Sequence, residues 1–99
     1  MMRNIFLGFI RIHILHHANE GDIFGVWIMN ELRRHGYSIG AGTLYPILHS
    51  LEKEGYLKRR DEVVNGKVRK YYRITEKGVN ALEEAKPKIK ELVEEVIWT

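Results

Sequence analysis

The sequence has 99 residues, no cysteine, and 16 lysines and arginines against 13 acidic residues, a net charge of +3 at neutral pH. A chain this short is expected to form one domain with a single modest core and no large catalytic cleft, and without cysteine it has no disulfide framework, thiolate zinc site or cysteine nucleophile. With 44% hydrophobic and 29% charged residues, the composition is that of a folded globular chain. The pattern predicts a mainly α fold with a two-stranded β-hairpin.

The first helix is expected over residues 4–18. Helical positions group Ile5, Phe9, Ile12 and His16, with Phe6, Ile10, His13 and His17 beside them. Apolar residues thus cover far more than the single stripe of a surface helix, so part of this helix is expected to pack against a second copy of the chain. Arg11 interrupts the apolar run, which is also far shorter than the ~20 residues of a membrane span. The reading is cytoplasmic, with no membrane partner.

Gly21 and Asp22 signal a turn, and Phe24, Trp27, Ile28, Met29 and Leu32 predict a second helix ending at His35 and Gly36. Ser38 is a candidate N-cap for a third helix over residues 39–54, with Leu44, Ile47, Leu48 and Leu51 on its apolar stripe. Pro46 requires that helix to start late or loosely. Its opposite face carries Thr43, Tyr45, Pro46, His49, Ser50 and Lys53.

Residues 56–64 and 67–74 read as strands joined by Asn65-Gly66, the dipeptide that suits a type I′ turn. From Lys58 to Arg73 there are seven basic residues against Asp61 and Glu62, a net +5, whereas from Val79 onward three lysines face five glutamates, a net −2. The basic excess therefore sits on the hairpin. Thr75 is an N-cap for the last helix, Pro87 should kink or restart it near Lys86, and Ile89, Leu92, Val93, Val96 and Ile97 form a stripe that needs a partner.

Three helices followed by a basic hairpin is the order of a winged helix-turn-helix. The third helix of that fold enters a major groove while the hairpin lies over neighbouring phosphates. Candidate DNA contacts are Ser38, Thr43, Tyr45, Pro46, His49 and Lys53 around the third helix, with Lys67, Arg69 and Lys70 on the wing. Candidate dimer contacts are Ile5, Phe9 and Ile12 at one end of the chain and Ile89, Leu92, Val93, Val96 and Ile97 at the other. In this division residues 1–78 form the winged-helix unit and residues 79–99 a dimerisation helix of the same domain.

The segments from Gly42 to Leu48, from Leu51 to Leu57 and from Gly66 to Gly78 resemble the PadR family of transcriptional regulators, over roughly residues 24–78. The resemblance implies a homodimeric repressor that binds an inverted repeat in double-stranded DNA, relieved by a small aromatic or other effector. It implies no enzyme activity, and no cofactor is expected. The chain departs from the family pattern at Ser50, where arginine is common, at Val26, where tyrosine is usual, and at Val68, where proline is common. Some short members hold planar ligands between tryptophans of the last helix; this chain has Ile89 in that stretch and only Trp98 near it.

Two rival readings are a protein-interaction module that keeps the scaffold without reading DNA, and a metal-responsive regulator. The second would use His13 and His17, one helical turn apart, with His16 and Glu20 nearby. The sequence fixes no further ligand, so buried or interfacial histidines are the preferred reading and no metal site is assigned.

Overall fold

The computed structural model describes residues 2–99 and has the order α1 (Met2–Glu20), β1 (Ile23–Phe24), α2 (Gly25–Arg34), α3 (Ala41–Lys53), β2 (Leu57–Val64), β3 (Lys67–Ile74) and α4 (Glu76–Val96). This is a winged helix-turn-helix with one more strand than the sequence suggests. The sheet order is β1-β3-β2, all antiparallel, with Ile23 opposite Tyr72 and Phe24 opposite Tyr71. A strand of two residues has no alternating pattern to reveal it; pairing with β3 defines it.

One core joins α1, α2, α3 and the base of the sheet. Ile14, Ile28, Leu32, Leu44 and Leu48 are fully buried, with Ile23, Leu51, Leu57 and Tyr72 around them. The expected stripe of α3 is thus the buried one. Tyr72 is core whereas Tyr71, on the other face of the strand, stays half-buried. Trp27 is 41% exposed and so lies outside this core.

The turn between α2 and α3 is set by a backbone bond and a side-chain bond. Tyr37 N donates to Leu32 O at 3.0 Å, and Arg33 Nε donates to Ile39 O at 3.0 Å. Ser38 does not cap α3: the helix begins at Ala41, its N-cap is Gly40, and no side chain satisfies its first amides. Ile39 is buried in the core, which holds the chain extended for two residues more than a helix starting there would allow. Pro46 is then the sixth residue of α3, and the carbonyl it leaves without a donor belongs to exposed Gly42.

Asn65 and Gly66 both take positive φ, 52° and 77°, as the type I′ turn requires. At the base of the wing three consecutive segments are tied together. Thr75 Oγ1 donates to Gly55 O at 2.6 Å and accepts from Gly78 N at 3.1 Å, so one hydroxyl both caps α4 and holds the end of α3. Lys77 Nζ donates to Glu54 O at 2.7 Å and lies 4.6 Å from the Tyr56 ring centre. A Cβ on Gly78 would collide with the Tyr56 carbonyl and come within 2.6 Å of Ile74 Cγ1, so only glycine lets α4 approach this closely.

Helix α4 runs unbroken through Pro87, against the expected restart near Lys86. The carbonyl deprived of a donor is that of exposed Glu83, which water can satisfy. Only Gly78 and Leu82 of this helix are buried, both in its first two turns. Beyond Leu82 the helix leaves the core, which gives the molecule its long axis of 54 Å against 29 and 21 Å.

Candidate nucleic-acid interface

Tyr45 of α3 and the wing meet at one cleft, which Thr43, Pro46, His49 and Lys53 do not line. The ring of Tyr45 lies directly on Gly25, where a Cβ would sit 2.7 Å from its Cζ, so the absence of a side chain at the start of α2 creates the seat for that ring. From there a cleft of about 600 Å³ extends to the wing tip, lined by Phe24, Tyr45, Val64, Lys67, Arg69 and Lys70 among others. Because β1 pairs only with Tyr71 and Tyr72, the stretch of β3 from Lys67 to Lys70 has an open edge on this side. Side chains of both strand faces can border the cleft along such an edge.

The register divides the wing charges. Lys58, Arg60, Lys67, Arg69 and Arg73 share one face with Glu62, while Arg59 and Lys70 share the other with Asp61. Several of these cations are already paired. Arg60 bonds Asp22 and Glu62, Arg73 Nε lies 3.3 Å from Asp22 Oδ1, and Arg59 Nε lies 3.2 Å from Asp61 Oδ1. Asp22 sits in the loop before β1, far from the wing in sequence, and nothing local in the chain signals its role. Arg69 is laid over the Phe24 ring at 4.2 Å with Nη1 3.5 Å from the Tyr71 hydroxyl, which fixes its side chain. Lys58, Lys67 and Lys70 have no ion-pair partner among the described residues.

Of the expected contact residues, Ser38, Tyr45, Pro46, His49, Lys53, Lys67 and Lys70 are exposed, while Thr43 and Arg69 are half-buried. Thr43 shares the first turn of α3 with amides that no side chain caps. Ser38 stands apart from the rest, in the turn ahead of the helix.

The expected dimer residues converge on a second surface. Phe9 and Ile12 of α1 and Ile89, Leu92, Val93, Val96 and Ile97 border one groove of about 740 Å³ between the two helices. Leu92 is 49% exposed and Val96 67%. Ile5, 44% exposed, continues the apolar surface toward the start of α1 but does not border the groove. Trp98 lies past the end of α4 and is 75% exposed.

The histidines gather beside this groove, which His13 and His16 also border. His13 and His17 pack against His35, the C-cap of α2, and Trp27 stands edge-on to His17 at 5.5 Å. Burial, and after it the neighbouring His35 and His17, pushes the His13 imidazole below its ordinary value. The sequence pattern of α1 shows two of these rings; the third arrives through the packing of α2.

Residues 14–84 match the family described as "Transcriptional regulator PadR-like family". A curated relative, "Transcriptional regulator Rv3488" of Mycobacterium tuberculosis, is 45% identical over 96 residues, covering 97% of this chain and 90% of that protein. Among solved structures, a PadR family transcriptional regulator from Eggerthella lenta superposes with a TM-score of 0.84 at 31% identity, over 97% of this chain and 85% of the other. A transcriptional regulator from Clostridium thermocellum does so with 0.79 at 34% identity, over 95% and 94%. The chain belongs to the PadR-like family of transcriptional regulators.

Proposed function

We propose that the chain acts as a homodimeric repressor that binds an inverted repeat in double-stranded DNA, with α3 in the major groove and the wing over adjacent phosphates. The observation that carries this reading is the cleft where exposed Tyr45, seated on Gly25, faces the unpaired lysines of β3. Phosphate contacts would supply affinity and register, and the exposed side chains of α3 would supply sequence choice.

The dimer in this reading is built from α1 and α4. Beyond Leu82 the α4 stripe has no core of its own to cover it, and it continues the apolar surface of α1. Two wings about a two-fold axis put half-site centres about 34 Å apart, or a multiple of that. The tryptophan sandwich known in some short relatives is not assembled within one chain, since Ile89 lies on α4 and Trp98 beyond it.

Selection of bound sites from random duplex DNA tests the reading. The expected result is an inverted repeat with that spacing, bound with an affinity that falls steeply as salt rises. No retardation of the selected pool or of the gene's own upstream region at low salt would refute DNA binding and favour a protein-interaction module on the same scaffold.

A further inference from the structure

His13 and His17 of α1 and His35 at the end of α2 each turn one ring nitrogen toward the others, and the three atoms lie within 4.8 Å of one another. The His13 and His35 rings are stacked with centres 4.9 Å apart. Glu31, one turn before His35, adds a carboxylate: its Oε1 is 3.4 Å from His35 Nε2 and 3.9 Å from His17 Nε2. In a four-coordinate site with metal–nitrogen bonds of about 2.0–2.1 Å, neighbouring donor atoms lie roughly 3.4 Å apart. The Glu31–His35 edge already has that length; Glu31 stands outside the 4.8 Å cluster of the three imidazoles, and rotation of its side chain would bring it in as the fourth donor.

A second observation points into the same space. His17 Nε2 is buried with no hydrogen-bond partner among the described residues, and the side chain is only 12% exposed. A buried polar nitrogen left in that state is costly, and few native side chains tolerate it. Coordination through its lone pair would satisfy it.

We propose that His13, His17 and His35, with Glu31 as the fourth ligand, form a binding site for a transition-metal dication of the zinc type. Three imidazoles and one carboxylate suit Zn²⁺, Co²⁺ or Ni²⁺ and are a poor match for Mg²⁺ or Ca²⁺, which take oxygen ligands. Neutral imidazole is the coordinating form. Arg34 hydrogen-bonds both carboxylate oxygens of Glu31, so on metal binding at Oε1 its Nε bond to Oε2 at 3.3 Å would remain to orient the ligand. The ion would fasten α1 to the end of α2, next to the turn that leads into α3. His16 and Glu20 offer an alternative arrangement around the same His17, but both side chains are more than half exposed.

The test uses the full chain without an affinity tag, stripped with a chelator and titrated calorimetrically with ZnCl₂, CoCl₂ and MgCl₂. The expected result is one Zn²⁺ or Co²⁺ per chain, no heat with Mg²⁺, and a thermal midpoint raised by about 10 °C at a hundredfold excess of Zn²⁺ over Kd. His35→Ala should weaken Zn²⁺ binding by about 100-fold and Glu31→Gln by about 10-fold, with His16→Ala unchanged. His35 ends a helix with its side chain 36% exposed, so its replacement leaves the fold intact, and circular dichroism of each apo variant checks this. Absence of Zn²⁺ binding, binding that survives His35→Ala, or loss of binding on His16→Ala would overturn the assignment.

Discussion

Replacing Lys67 by alanine is the sharpest test of the wing. Lys67 borders the cleft and has no ion-pair partner among the described residues, whereas Arg60 on the same face is bonded to Asp22 and Glu62. In a dimer the substitution removes two phosphate contacts, and each contributes about 0.9 to the slope of log K against log salt. The slope should therefore fall by about 1.8, and affinity by about 30-fold at 0.15 M salt and about 200-fold at 0.05 M, with the difference vanishing toward 1 M. Adding Lys70→Ala should bring the loss to about 1,000-fold at 0.15 M, since the two lysines lie on opposite strand faces and act independently. Fluorescence anisotropy on a selected operator at five salt concentrations reads both quantities. Arg60→Ala is the comparison and should change the slope by less than about 0.5, because its charge is already neutralised locally. If Lys67→Ala keeps the wild-type slope, or if Arg60→Ala reduces it as much, the division of the wing into free and paired cations is wrong.

Asp22→Asn should release Arg73, leave Arg60 held by Glu62 alone, and raise operator affinity by about threefold to tenfold at 0.15 M salt, measured by the same titration; a weaker complex would contradict the pairing. Gly78→Ala gains helix propensity of about 1 kcal/mol but drives a Cβ into the Tyr56 carbonyl and Ile74. Overpacking costs about 1–3 kcal/mol, and a clash with a backbone carbonyl falls in the upper part of that range, so a net loss of about 1–2 kcal/mol should lower the thermal midpoint by roughly 5–15 °C, and an unchanged one would count against the close approach. Leu92→Glu, at a position 49% exposed in the single chain, should leave far-ultraviolet circular dichroism intact and convert the proposed dimer to monomer in light scattering; a dimer that persists would move the interface elsewhere.

The features legible in the sequence are those fixed by short-range chemistry. Asn65-Gly66 demands positive φ, Thr75 offers a hydroxyl three residues before an amide that needs it, and Leu44, Ile47, Leu48 and Leu51 recur at helical spacing. Each can be read because cause and effect lie within one turn. The misses have causes elsewhere in the chain. Strand β1 exists through its pairing with β3, and α3 starts at Ala41 rather than near Ser38 because Ile39 is held in the core. The restart expected at Pro87 assumes a carbonyl that cannot find another donor, and Glu83 is exposed. In the candidate interface the sequence shows how many cations the wing carries but not that Asp22 holds two of them. The histidine cluster is half visible for the same reason, since His35 joins His13 and His17 only through the packing of α2 on α1.

The knot of contacts among Thr75, Lys77, Gly78 and the Gly55–Tyr56 segment gives α4 a fixed rotational setting relative to α3 and the wing. Each residue of a helix turns the chain by about 100°. One residue inserted between Leu82 and Ile89 would therefore swing Ile89, Leu92 and Val96 away from α1 while leaving the winged-helix unit untouched, whereas seven would return the stripe nearly to its bearing, about two turns farther out. In the proposed dimer helix α4 would act as a ruler as well as a handle: its length and phase would set how far apart, and at what angle, two reading heads are presented to the same duplex.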